Sequence, residues 1–280
     1  MDAGPIRDLL TALAGICTGA LSGAFGVGGA VISTPAIRAL GVPASLAIGT
    51  TLPSIFPSAA AGALRYRREG LIDRQAVLLT VPIGLAASVA GAALSELIPG
   101  EGRILMLVTA VLLGVTSVRM ARSVAPKAAE PKVSPPAATQ IPAEMGDRAP
   151  EPTHHGRPSW AFAVVGAMAG LLSGLLGVGG GIVMVPGFTQ VAGLSIKSAI
   201  ATSLVCVAAF AVPSTITHAV LGNIDWRAAG FLTLTVIPGA RLGAAATMRA
   251  SDRTLRTLVA GVLGVIALLY AGGEIVGLLR

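Results

Sequence analysis

One stretch of this chain is written twice, and that doubling restricts the fold more than any single residue does. Ser22–Ile37 reads SGAFGVGGAVISTPAI and Ser173–Phe188 reads SGLLGVGGGIVMVPGF. Aligned without gaps, Ser, Gly, Gly, Val, Gly, Gly and Pro share columns. Upstream, Gly15, Gly19 and Gly23 correspond to Gly166, Gly170 and Gly174. Downstream, Ala47, Thr50 and Leu52 answer Ala199, Thr202 and Leu204, and Gly70, Ile72 and Asp73 answer Gly222, Ile224 and Asp225. A chain made of one unit used twice must fold into two like halves.

Composition decides which solvent those halves meet. Hydrophobic residues make up 54% of the chain and charged residues 12%, with a mean hydropathy of +0.80. A soluble domain carries about 25% charged residues, so nearly all of this chain belongs in a bilayer. Aromatics are only 4% while Gly numbers 36, which favours closely packed helices over a barrel with aromatic girdles. The expected class is an all-α polytopic membrane protein. The net charge of +7 is scattered over loops with no basic stripe, so no nucleic-acid partner is expected. Cys17 and Cys206 lie in apolar segments and read as packing residues, and neither a metal site nor a cofactor is expected. The first apolar run already contains half of the repeat, so it is expected to stay in the mature protein rather than be cleaved.

In order, the apolar segments are Leu9–Phe25, Ala30–Leu40, Ala44–Leu64, Ala76–Ile98 and Ile104–Met120, then Trp160–Leu176, Ile182–Ala192, Ile196–Leu221, Ala228–Met248 and Leu255–Ile275. The second piece of each half is broken by Pro35 or Pro186 and is too short to span ~30 Å comfortably. The halves are therefore 1–120 and 159–280, joined by a linker, 121–158. That linker is rich in Pro, Ala, Lys and Glu, which points to a flexible tether. His154 and His155 fall in it and read as solvated.

Charge gives the orientation. Arg65, Arg67 and Arg68 follow the third segment of the first half, whereas the matching 218–225 is nearly uncharged. Arg249, Arg253 and Arg256 mark the last loop of the second half, against Glu96, Glu101 and Arg103 in the first. Two inverted repeats of about five segments each would put every arginine-rich loop and the tether on the cytoplasmic side. Both termini would then lie outside, with the protein in the cell's inner membrane.

The repeated break is where chemistry is expected. Gly26, Gly28 and Gly29, with Gly177, Gly179, Gly180 and Gly181, let the backbone turn sharply and approach another group. Helix N-termini exposed there carry unpaired N–H groups and a partial positive charge, which suits an anion. Short Gly/Pro-interrupted segments at matching places in two halves point to a transporter's binding site. The competing reading is tight helix packing, the evident role of the upstream Gly15, Gly19 and Gly23. Thr50, Thr51, Thr202 and Ser203 offer hydroxyls nearby, as do Ser22 and Ser173, though a hydroxyl bonded to its own helix is equally ordinary. Arg241, inside an apolar segment, is a candidate countercharge or a snorkelling side chain. His218 is a candidate proton carrier or an interface residue, and Asp73 and Asp225 are expected to cap the helices that follow them. No Lys-Ser/Thr follows the glycines, so no nucleotide cradle is present.

The doubled GxGG(G)-x4-P, with A-x2-T-[ST] and a later Gly-x-Ile-Asp, resembles the sulfite exporter TauE/SafE family of membrane permeases. The resemblance covers almost the whole chain except the tether. It implies secondary transport of small sulfur-containing anions such as sulfite, sulfonates or sulfoacetate, coupled to an ion gradient for which protons are a candidate. The first half departs from the pattern at Ala30, where the second has Gly181, and at Thr51, where the second has Ser203. The alternatives are an anion channel, a non-transporting membrane scaffold, or an intramembrane hydrolase pairing Ser173 with His218. No enzyme is expected, because the serine is duplicated and the histidine is not.

Overall fold

A computed structural model describes residues 5–95, 103–124, 159–176 and 179–279. Among the described residues there are ten helices and no strand. They are α1 (Pro5–Phe25), α2 (Ala30–Ala39), α3 (Ala44–Arg68), α4 (Arg74–Ser95), α5 (Arg103–Val124), α6 (Ser159–Leu176), α7 (Gly181–Gln190), α8 (Ile196–Val220), α9 (Trp226–Arg249) and α10 (Asp252–Leu279). Five helices fall in each half, with the short α2 and α7 in matching places and carrying Pro35 and Pro186. Six helices are long and apolar enough to cross a membrane: α1, α4, α6, α8, α9 and α10. The outward surface is apolar, with Leu78 at 73% and Val220 at 82% exposure, as a lipid-facing surface requires.

Several boundaries differ from the sequence reading by a few residues, and two of them bear on the charged ends and the tether. Arg65, Arg67 and Arg68 belong to the last turn of α3 rather than to a loop, because cations are stabilised at a helix C-terminus. Helix α5 runs on to Val124, four residues into the expected tether. Residues 125–158, with His154 and His155, lie outside the described residues.

Small residues set the helix directions. On α1, Gly19 faces the backbone of Val236 and Gly23 that of Ala240. Arg7 pairs with Asp225 at 3.3 Å and Arg227 with Asp8 at 2.6 Å. Helices α1 and α9 are therefore parallel. Helices α6 and α4 are parallel in the same way, with Gly166, Gly170 and Gly174 against Thr80, Gly84 and Ser88. A side chain at Gly19, Gly23, Gly170 or Gly174 would collide with a backbone carbonyl, so these glycines do pack helices.

The central pair, α3 and α8, runs antiparallel. Asp73, just past the end of α3, donates its N–H to Thr202 near the start of α8 at 3.0 Å. Asp225, just past the end of α8, donates its N–H to Thr50 near the start of α3 at 2.9 Å. Helices α5 and α10 are also antiparallel, since Gly114 opposes Ala267 and Ser117 Oγ donates to the Ala260 carbonyl at 2.7 Å. It follows that α3, α5 and α9 end on one face of the bundle, where α6 begins, while α1 and α9 begin on the opposite face.

The directions also settle what the short segments do. Helix α1 rises from the N-terminal face, and α2 returns to it, so that Ile37 and Val42 pack on Ala228 and Leu232 of early α9. The GVGG break is thus the tip of a hairpin that enters and comes back. Helices α6 and α7 form the matching hairpin from the other face.

Candidate functional site

The two hairpin tips meet inside the bundle. Gly26 lies beside Ser203, whose hydroxyl faces the Gly26 carbonyl at 3.0 Å and that of Ile200 at 2.9 Å. Ser203 is seven residues into α8, about 10 Å from its start at 1.5 Å per residue. A side chain at Gly181 would run into the Gly26 carbonyl and Val27, so the two breaks touch backbone to backbone. Left-handed conformations turn the chain at Gly26 and Gly28 (φ 68° and 81°) and at Gly179 and Gly180 (84° and 69°). Gly29 is right-handed, at φ −62°. Its requirement is space, because a Cβ there would lie 2.8 Å from Thr18 Cγ2 and 3.8 Å from Ser58 Oγ. Gly177 lies outside the described residues.

Helices α2 and α7 both start at these tips, with Gly29 and Gly180 as N-caps and no side chain capping either. Ile32 and Val183 donate back to the Gly29 and Gly180 carbonyls, and the earlier first-turn N–H groups have no side-chain cap. Around α2, the hydroxyls of Thr18, Ser22 and Ser58 are buried without a hydrogen-bond partner. Each such hydroxyl costs about 1–3 kcal/mol. Ser173 Oγ beside the second break is in the same condition.

The remaining sequence candidates fall in three places. Thr50 and Thr202 lie at the loops, accepting from Asp225 and Asp73 across the repeat. Asp73 and Asp225 cap α4 and α9 as expected, accepting from Ala76 at 3.0 Å and from Arg227 and Ala228 at 3.1 and 3.2 Å. Thr51 donates to the Ile48 carbonyl at 2.9 Å and sits 3.2 Å from the Thr34 hydroxyl. Arg241 is exposed and lines a cleft of about 400 Å³ with Arg65 and Arg68. Sequence reasoning missed Thr18 and Ser58, although aligning the repeats, with one residue inserted between the short segment and the next helix, already contrasts them with Ala169 and Phe210.

His218, in the last turn of α8, is buried, and neither ring nitrogen has a hydrogen-bond partner. Ser173 Oγ is likewise unpartnered, so the serine–histidine contact a hydrolase needs is not made. No cluster of metal-ligating side chains is found among the described residues.

The hairpins and their doubled motif agree with what comparison finds. The family model for sulfite exporter TauE/SafE matches residues 11–270. The chain belongs to the TauE/SafE family. It is similar to the probable membrane transporter protein YunE of Bacillus subtilis, 25% identical over 272 residues that cover 92% of this chain and 96% of that one. A probable membrane transporter protein of Haemophilus influenzae is 27% identical over 93% of this chain and 96% of its own. The probable membrane transporter protein MamO of Magnetospirillum gryphiswaldense is 30% identical over 74% of this chain, a region that is 36% of MamO. No solved structure matches. Family membership, these relatives and the six apolar helices make this chain a multi-pass membrane transporter.

Proposed function

We propose that this protein is a secondary permease for small sulfur-containing anions, held where the two hairpin tips meet. The observation that carries the reading is the pair of uncapped helix N-termini, α2 and α7, buried at touching breaks. Irregular backbone at that depth persists only where protein or a watery cavity satisfies it, and two positive helix ends favour an anion. Gly26, Gly28, Gly29, Gly179, Gly180 and Gly181 shape the tips. Ser203 lines the first tip, Thr51 bonds to Thr34 of α2, and Thr50 and Thr202 hold the two halves together. Arg241, with Arg65 and Arg68, supplies positive potential at the approach to the site.

The antiparallel course of α3 and α8 supports an inverted repeat, in which the halves rock against each other about the fixed breaks. The arginine-bearing ends of α3 and α9 share the face where α6 begins. We assign that face and the linker to the cytoplasm, in the plasma membrane.

Thermal unfolding of the purified protein in detergent tests the site. The anion panel is sulfite, sulfate, thiosulfate, sulfoacetate, taurine, acetate and chloride, with Gly180→Leu run alongside. A ligand that binds only the native state raises the melting temperature with concentration. Selective stabilisation by a sulfur oxyanion, lost in Gly180→Leu, is expected. Equal response to every anion would defeat specific binding and favour a channel or scaffold.

A further inference from the structure

The two breaks are alike in backbone and unlike in side chains, and the unlike part concerns hydroxyls. Buried serines and threonines in this bundle bond to their own helix as a rule. Ser54 donates to Thr51, Ser214 to Phe210 and Thr11 to Arg7, all to carbonyls within one turn. Such back-bonding is the default for a helical hydroxyl away from water. Thr18, Ser22 and Ser58 are helical and no more than 2% exposed, yet make no such bond. Their hydroxyls are left free to bind something else.

All three surround the start of α2. Thr18 and Ser22 stand one turn apart on one face of α1. Thr18 and Ser58 flank Gly29, at 2.8 Å and 3.8 Å from where its Cβ would be. Ser22 borders a small cavity with Gly28 and Val31. In the second half the aligned residues are Ala169, Ser173 and Phe210. Gly180 there meets Ala169 backbone, and the Phe210 ring fills its space against Gly84. One hydroxyl remains where the first half has three.

We propose that the anion's oxygens are held at the first break, by the Thr18, Ser22 and Ser58 hydroxyls around the uncapped N-terminus of α2. This assignment rests on the anion-permease reading and narrows it to one break and one chemistry. Three hydroxyl donors and a helix N-terminus suit a compact oxyanion with three equivalent oxygens, sulfite or the SO3 head of a sulfonate, stripped of its water. All three hydroxyl donors are neutral, so the positive helix end, worth about half a unit charge, is the charged element of this half-site. The cavity beside Ser22 is about 10 Å³, room for one water at most. Its far wall is α10, at Val262, Leu263 and Ile266.

The test is a sulfite titration of thermal stability on the full-length protein in detergent, repeated with methanesulfonate. The variants are Thr18→Val, Ser58→Ala, Ser173→Ala and Thr18→Ser. Without ligand, Thr18→Val and Ser58→Ala should melt no lower than wild type, since they remove hydroxyls with no partner. With sulfite, their half-saturating concentration should rise about tenfold or more, the scale of a hydrogen bond to a charged group. Thr18→Ser should restore it to within a few-fold, and Ser173→Ala should shift it less than about twofold. Unchanged affinity in both Thr18→Val and Ser58→Ala, or an equal loss in Ser173→Ala, overturns the assignment while leaving the permease reading standing. A folded wild-type protein that no anion stabilises defeats the permease reading, and this assignment with it.

Discussion

The two halves share a frame and differ in what the frame encloses. Across the repeat, Thr50 accepts from Asp225 and Thr202 accepts from Asp73 at nearly the same distance, and glycine faces pair α1 with α9 as they pair α6 with α4. Away from that frame, correspondence fails. Thr18 and Ser58 answer Ala169 and Phe210. Tyr66 donates to the Gly23 carbonyl at 2.9 Å, while its counterpart His218 has no partner. Gly29 is right-handed where Gly180 is left-handed. Symmetric architecture and asymmetric interior are separable, and each can be perturbed without the other.

The largest expected effect comes from the breaks. Gly180→Ala combines a left-handed backbone, about 1–2 kcal/mol, with overlap of a main-chain carbonyl, another ~1–3 kcal/mol. Gly29→Ala keeps a right-handed backbone and needs only Thr18 to shift. Denaturation in a mild detergent should therefore show Gly180→Ala destabilised well beyond Gly29→Ala. Equal losses would mean that the two turns are not built differently.

Next come the reciprocal bonds of the frame. Thr50→Val and Thr202→Val each strip the acceptor from one part-buried backbone N–H. Each should lower stability by ~1–3 kcal/mol, and the two losses should agree within ~0.5 kcal/mol. A loss in only one of them would break the symmetry of the frame.

The smallest effect is at the Tyr66 and His218 pair. Tyr66→Phe forfeits one hydrogen bond, about 1 kcal/mol. His218→Phe removes two buried nitrogens that have no partner, and should be neutral or stabilising at pH 7. A marked loss in His218→Phe would reveal a partner that the resting structure does not show.

Much of the frame was legible in the sequence, for physical reasons. The repeat announced itself because glycines required by backbone contact cannot drift, as the collisions at Gly19, Gly23, Gly170 and Gly174 show. The short helices were legible from Pro35 and Pro186 and from their length. The caps at Asp73 and Asp225 followed from an acid just before an apolar run. The Thr50–Asp225 and Thr202–Asp73 bonds were hidden because each joins opposite halves. Thr18 and Ser58 were hidden because a lone hydroxyl on an apolar helix looks like any other. Only the structure distinguishes one that bonds its own helix from one that bonds nothing. Arg241 looked intramembrane by position along its segment, and its direction toward Arg65 and Arg68 depended on how α9 packs beside α3.

The central claim is that the paired breaks carry a solute across the bilayer. Sulfite flux into proteoliposomes, followed against concentration with Gly180→Leu as comparison, tests it directly. The account predicts flux that saturates and is lost in Gly180→Leu while that protein still inserts. Flux that rises linearly without saturating, or that Gly180→Leu leaves intact, would contradict it.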